Sequence, residues 1–133
     1  MKSRDTLIRL KRFQAEEKRR RVAQIEAMIA EFGRMAGDLD REIALEEQRS
    51  GITDMSHFAY STYARAARVR RDNLKQSTED LRPQLAEAMT LHAEALDELA
   101  KVQNLEGREK GERPEPFRDR SDADMIGMVA SRL

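Results

Sequence analysis

The side chains of this chain that could carry chemistry are few and scattered. His57 and His92 are its two histidines, and a metal site or a general base would have to be built around one of them. They stand far apart in the sequence, and His92 falls on an apolar stripe, where it reads as a tolerated packing residue. Ser56 directly precedes His57, but neighbours on a helix do not face each other, so the two are not a nucleophile and its base. There is no cysteine, which excludes disulfides and thiolate metal sites. A phosphate-binding glycine loop, HExxH and GxSxG are all missing. The many carboxylates read as solvated or paired. Neither an enzyme nor a cofactor is expected.

Two other groupings point to binding. The run Lys18-Arg19-Arg20-Arg21 lies in a stretch, residues 2–21, with nine basic and three acidic side chains. Clustered cations can neutralise nucleic-acid phosphates. No aromatics interleave with this run, however, and acidic residues later in the chain can pair with it. A paired or solvated face is therefore preferred, and nucleic acid is not expected as a partner. Phe58, Tyr60 and Tyr63 form the second grouping, with Ile52 and Met55 just before them. Positions 58 and 60 cannot both point inward from one helix. The cluster is thus either an exposed patch for a partner or, in part, a plug closing the end of a hairpin.

Two long elements must position these groups. Val22, Ile29, Ala36 and Ile43 recur every seven residues, interleaved with Ile25, Phe32 and Leu39. Further on, Leu74, Leu81, Ala88, Ala95 and Val102 recur in the same way, with Leu85 and Leu99 between them. Such a repeat keeps a narrow apolar stripe on one side of a helix, facing a partner helix. Composition agrees: 38% of residues are charged, there is no Trp, and Gly and Pro number only 6 and 3, a profile that suits long solvated helices better than a layered core. The expected fold is all-α, a long antiparallel two-helix coiled-coil hairpin over residues 1–106 with a partly disordered C-terminal tail. Its first helix covers about 4–49, its turn about 50–55 and its second helix about 56–105. Gly51 is placed to end the first helix, and Thr53, Asp54 or Ser56 to cap the second. Residues 107–120, GREKGERPEPFRDR, read as a disordered linker. Residues 121–133 read as a short amphipathic segment with Met125, Met128, Val129 and Leu133 near one face. No secretory signal or membrane span is expected, and the cytoplasm is the expected location.

Charge tests the antiparallel arrangement. With the turn centred near residue 53, facing positions sum to about 107, which brings Asp38, Asp40 and Glu42 near Arg65, Arg68 and Arg71. Arg12 and residues 18–21 then lie along Glu87, Glu94, Asp97 and Glu98. Some positions break the pattern. Gly33 and Gly37 weaken the first helix. Pro83 kinks the second or marks a boundary in it. Arg71 falls on the stripe, where Ala36 and Gly37 could leave it room as a pin of register. Before Val22 the first stripe is weak: Leu7, Leu10 and Phe13 do not phase with the later heptads, so that end is expected to splay or to meet another chain.

The block MKSRDTLIRLKRFQAEEKRRRVAQIE, with HFAYSTYARAARVRRDNL after the turn, resembles the FliJ family of flagellar export proteins, particularly its alphaproteobacterial branch, over roughly residues 1–105. The aromatic-x-x-aromatic pattern of Tyr60 and Tyr63 is part of the likeness. The resemblance implies a component of the flagellar type III export apparatus, at the cytoplasmic face of the membrane-bound flagellar base. Such a protein is a stalk-like coiled coil that inserts into the hexameric export ATPase and contacts the cytoplasmic domain of the export-gate membrane protein. Export chaperones are implied as further partners, and membrane association only through partners. Carried over, Phe58, Tyr60, Tyr63, Ala67 and Leu74 would form the gate side; Leu7, Leu10, Phe13, Arg12 and Lys18 would form the ATPase side. Pro83, Arg70 on the gate face and the C-terminal tail depart from the family pattern. A generic coiled-coil scaffold, or an export chaperone in another assembly, is the alternative expectation.

Overall fold

The seven-residue stripes close on each other as a hairpin. The computed structural model describes residues 2–109, in which helix α1 spans Lys2–Ser50 and helix α2 spans Thr62–Glu109. Their 49 and 48 residues make each roughly 70 Å long. They pack antiparallel along this length, with no strand among the described residues. Ile25, Leu81 and Ala88 form one buried cluster, flanked by Val22, Ile29, Phe32 and Leu85. Leu39, Ile43 and Ala67 form a second, against which Leu74 packs. Ile25 is fully buried, and the interior is a seam of side chains rather than a chamber.

The seam extends further than the sequence reading expected. Ile8 and Ala15 are buried, and with Val22, Ile29, Ala36 and Ile43 they make an unbroken repeat of seven. The alternate seam positions before Ile25 hold Lys11 and Lys18, so the stripe narrows at this end but keeps its phase. Leu7, Leu10 and Phe13 are exposed because they lie on other faces of the same helix.

Boundaries also differ. Gly51 does end α1: its φ of +73° is left-handed, its amide donates to Glu47 O at 2.9 Å, and the Ser50 hydroxyl accepts from the Ile52 amide. The second helix, expected from about 56, begins at Thr62. Asp54 does cap, but it closes a single turn by accepting from the amide and hydroxyl of Ser56 at 2.9 and 2.7 Å. His57 Nδ1 then accepts from the Ala59 amide at 3.0 Å. These side chains hold the backbone in local turns that compete with helix. Ser61 is the cap of α2, accepting from the Ala64 amide at 3.2 Å. The longer connection shifts the pairing: Lys11 meets Glu98 and Asp40 meets Arg71, positions summing to 109 and 111 rather than 107.

Helix α2 runs unbroken through Pro83, which is exposed on the solvent face, so no boundary falls there. It also continues past residue 105 to Glu109. The remainder of the expected linker at 107–120, and the amphipathic segment at 121–133, lie outside the described residues.

Candidate interaction surfaces at the two ends of the hairpin

At the turn end, the connection over residues 52–61 divides the aromatic cluster. Tyr60 is turned inward and buried. Its hydroxyl donates to Glu47 Oε2 at 2.7 Å and accepts from Arg68 Nε at 2.8 Å, while Arg68 Nη2 donates to the same Glu47 oxygen at 2.8 Å. Arg65 lies over the Tyr60 ring, 5.3 Å from its centroid, and donates to Met55 O at 2.9 Å. The bonds from Arg68 and then Tyr60 hold the Glu47 carboxyl below its usual range, and the same Glu47 contact raises Arg68. Ala67 is buried and Leu74 half-buried, both within the seam. Tyr60, Ala67 and Leu74 are thus engaged inside the closed hairpin.

Phe58 and Tyr63 are not. Phe58 is 96% exposed and stacks only on the His57 ring, with centroids 4.8 Å apart. Tyr63 is exposed, and its hydroxyl donates to Glu42 at 2.9 Å, a contact that raises the Tyr63 pKa. Met55 is exposed beside them. Phe58 is thus a projecting apolar side chain on a connection fixed by hydrogen bonds.

The open end is built differently. An ion pair crosses between the helices here, Lys11–Glu98 at 2.9 Å. Arg19 and Arg20 turn to Glu16 on their own helix, and the bond from Arg19 lowers the Glu16 carboxyl. Two shallow grooves of about 340 and 280 Å³ follow each other along the seam, sharing Glu17, Lys18 and Leu91 in their walls. They exist because small Ala88 and Ala95 sit opposite a seam position filled by flexible Lys18. Leu7, Leu10, Phe13, Leu91, Leu96 and Leu105 are all exposed over this end. Arg12 and Lys18 are exposed cations among them.

Of the charge pairs expected from register, Asp40–Arg71 forms, at 3.0 Å, with Arg71 held in the seam as a pin and raised by its bonds to Asp40 and Asp72. Asp38 instead pairs with Arg41 on its own helix, and Arg68 takes Glu47. The Glu47–Tyr60–Arg68 network was not anticipated; Glu47 next to the turn, level with Tyr60, was the available signal.

No group of His, Asp and Glu among the described residues could hold a metal. Ser56 and His57 are each bonded to a different neighbour. No described helix is long and apolar enough to cross a membrane. No family model, curated protein or solved structure matches the chain.

Proposed function

We propose that this protein is a FliJ-like component of the flagellar type III export apparatus, acting by contact at its two ends. The observation that carries the reading is the unlikeness of those ends. One presents an apolar knob on a braced turn, the other a wide apolar and basic surface on a seam interrupted by Lys11 and Lys18. A rod about 20 Å across with such ends can enter the opening of a ring and reach a second body beyond it. The open end, through Leu7, Leu10, Phe13, Arg12 and Lys18, is the ATPase side. The turn end is the gate side, and exposure narrows its contact set to Phe58 and Tyr63, with Met55 beside them; Tyr60, Ala67 and Leu74 shape that end from within.

In this mechanism the protein shifts the balance among ATPase subunit states by differential contact and performs no chemistry itself. The test is ATP hydrolysis by the same organism's flagellar export ATPase with and without this protein, alongside co-elution of the two. Stimulation with co-elution supports the stalk reading. Neither one leaves the alternative, a coiled-coil scaffold or export chaperone in another assembly, for which the exposed apolar open end is the favouring observation.

A further inference from the structure

On one side of the seam, the two helices of the open end share a continuous strip. Its two grooves are walled by Gln14 and Arg21 of α1 and by Leu91 and Glu98 of α2. Leu7 lies one heptad outward from Gln14, and Leu105 one heptad outward from Glu98, so both extend the same side. Leu7, Leu91 and Leu105 are all exposed. Nearer the turn the matching positions are closed off, by the bond from Tyr63 to Glu42. The strip is therefore open only at the end where the chain leaves α2.

Helix α2 ends at Glu109, beside the start of α1, and twenty-four more residues follow from there. Among them Met125, Met128, Val129 and Leu133 recur at the spacing of one helix face. Thirteen residues that include Gly127 are too few for such a helix to stand alone, so its apolar face needs a seat. The eleven residues 110–120 contain Gly111, Pro114 and Pro116, which suit a reversal of direction. Extended, they reach about 36 Å. Lengths agree as well. The strip runs about 21 Å from Leu7 to Arg21, and a helix over 121–133 spans about 20 Å.

Charges agree in order. Asp122 and Asp124 open the segment and Arg132 stands near its end. If the segment runs back along α2, the aspartates come to Lys11 and Lys101, whose ammonium groups have donors to spare beyond Glu98 and Asp97. Deeper in, Glu17, Glu87 and Glu94 outnumber Lys18 and Arg21 in the walls, which suits Arg132.

We infer that residues 121–133 fold back as a helix onto this strip, antiparallel to α2, with Met125 toward Leu7 and Leu105 and with Val129 and Leu133 toward Leu91. A short tether holds the segment at an effective concentration on the order of millimolar, so a modest contact area keeps it seated. The inference goes beyond the stalk reading and rests on the hairpin alone. Seated there, the segment covers Leu7 and Lys18 of the proposed ATPase side, and a partner at that end has to displace it.

The chain has no cysteine, so Ser131→Cys gives the full protein a single site for a nitroxide spin label, away from the segment's apolar face. Paramagnetic broadening of amide resonances is expected to be strongest over residues 14–21 and 84–94, and weaker at the tip around Leu7 and Leu105. Adding Met125→Glu/Val129→Glu should abolish that pattern while circular dichroism shows the hairpin unchanged. Labelled chain without nitrogen-15, mixed with unlabelled nitrogen-15 chain, should cause no broadening, because each segment serves its own hairpin. Broadening strongest at the tip overturns the inference, since a segment held only by its tether gives that result. Broadening that survives Met125→Glu/Val129→Glu overturns it, and so does broadening in the mixed sample, which assigns the strip to a second copy. No ATPase is used, so failure here is separate from failure of the stalk reading.

Discussion

The two ends of this hairpin are made of the same materials and use them in opposite ways. At the turn, polar groups are turned inward onto one aromatic ring, so that Glu47, Tyr60, Arg65 and Arg68 form a single bonded unit. At the open end, charges point outward, lysines stand at seam positions, and large apolar side chains are left on the surface. The first arrangement fixes geometry, and the second conserves surface for contact. The lesson is that hydrophobicity alone does not tell packing from binding on a thin rod, because a two-helix seam has room for only two positions in seven.

The largest test of this contrast lies within the aromatic cluster. Tyr60→Ala removes a buried ring and leaves Glu47 and Arg68 without their shared partner, and should cost about 3 kcal/mol in urea unfolding. Tyr60→Phe keeps the ring and loses the hydroxyl, costing about 1 kcal/mol. Phe58→Ala, two residues away, should change stability by less than about 0.5 kcal/mol while weakening capture of the gate protein's cytoplasmic domain. Equal stability losses for Tyr60→Ala and Phe58→Ala would erase the distinction drawn between the inward and outward aromatics.

At the open end the sign reverses. Lys18 occupies a seam position yet is exposed, with the two grooves beside it. Lys18→Leu should bury apolar surface against Ala88 and Ala95 and stabilise the hairpin by about 1 kcal/mol. On the proposed ring side, the same change should reduce stimulation of the export ATPase. Destabilisation by this substitution would mean that the end is already packed as tightly as its lysine allows.

These contrasts were only partly legible in the sequence. The heptads from Val22 to Ile43 and from Leu74 to Val102 were clear, since several consecutive large residues keep phase. Ile8 and Ala15 continue the first of them but do not stand out in the sequence, because Lys11 and Lys18 interrupt the alternate positions and the larger Leu7, Leu10 and Phe13 lie out of phase nearby. The start of α2 is hidden in the sequence for a different reason. Asp54 and Ser56 carry true capping chemistry, but a cap closes one turn as readily as it opens a helix, and only Ser61 leads into forty-eight helical residues. For the surfaces, sequence could gather Phe58, Tyr60 and Tyr63 but not sort them, since the sorting depends on the path of the connection.

A smaller stabilisation is expected midway between the ends, where neither strategy operates. A methyl group added at Gly33 meets nothing within 4 Å, so the glycine there supplies backbone freedom without relieving any contact. Gly33→Ala should raise stability by about 0.5–1 kcal/mol through helix propensity alone, with no effect on binding at either end. A loss of partner binding in this variant would show that the rod must flex at its middle.

The finest distinction between the ends is their response to acid. Three described carboxylates are held below their usual range: Glu47 and Asp54 at the turn, and Glu16 at the open end. A carboxylate with a depressed folded-state pKa adds stability above its unfolded value, and that contribution is lost as pH falls through the folded one. For Glu47 the loss removes the acceptor shared by Tyr60 and Arg68 and frees both donors at once. Glu16 pairs with Arg19 and Arg20 of its own helix, and the charge of His92 on α2 acts on it less strongly, so its protonation disturbs the interhelical seam less than that of Glu47. Amide hydrogen exchange followed from neutral pH to below pH 4 should therefore show protection falling first over residues 60–68, while residues 8–25 hold. Glu47→Gln removes the titrating group and should flatten this response at the turn, at the cost of lower protection there at neutral pH. Earlier loss of protection at residues 8–25 would place the acid-sensitive contact at the open end and break the contrast between a braced end and a contact end.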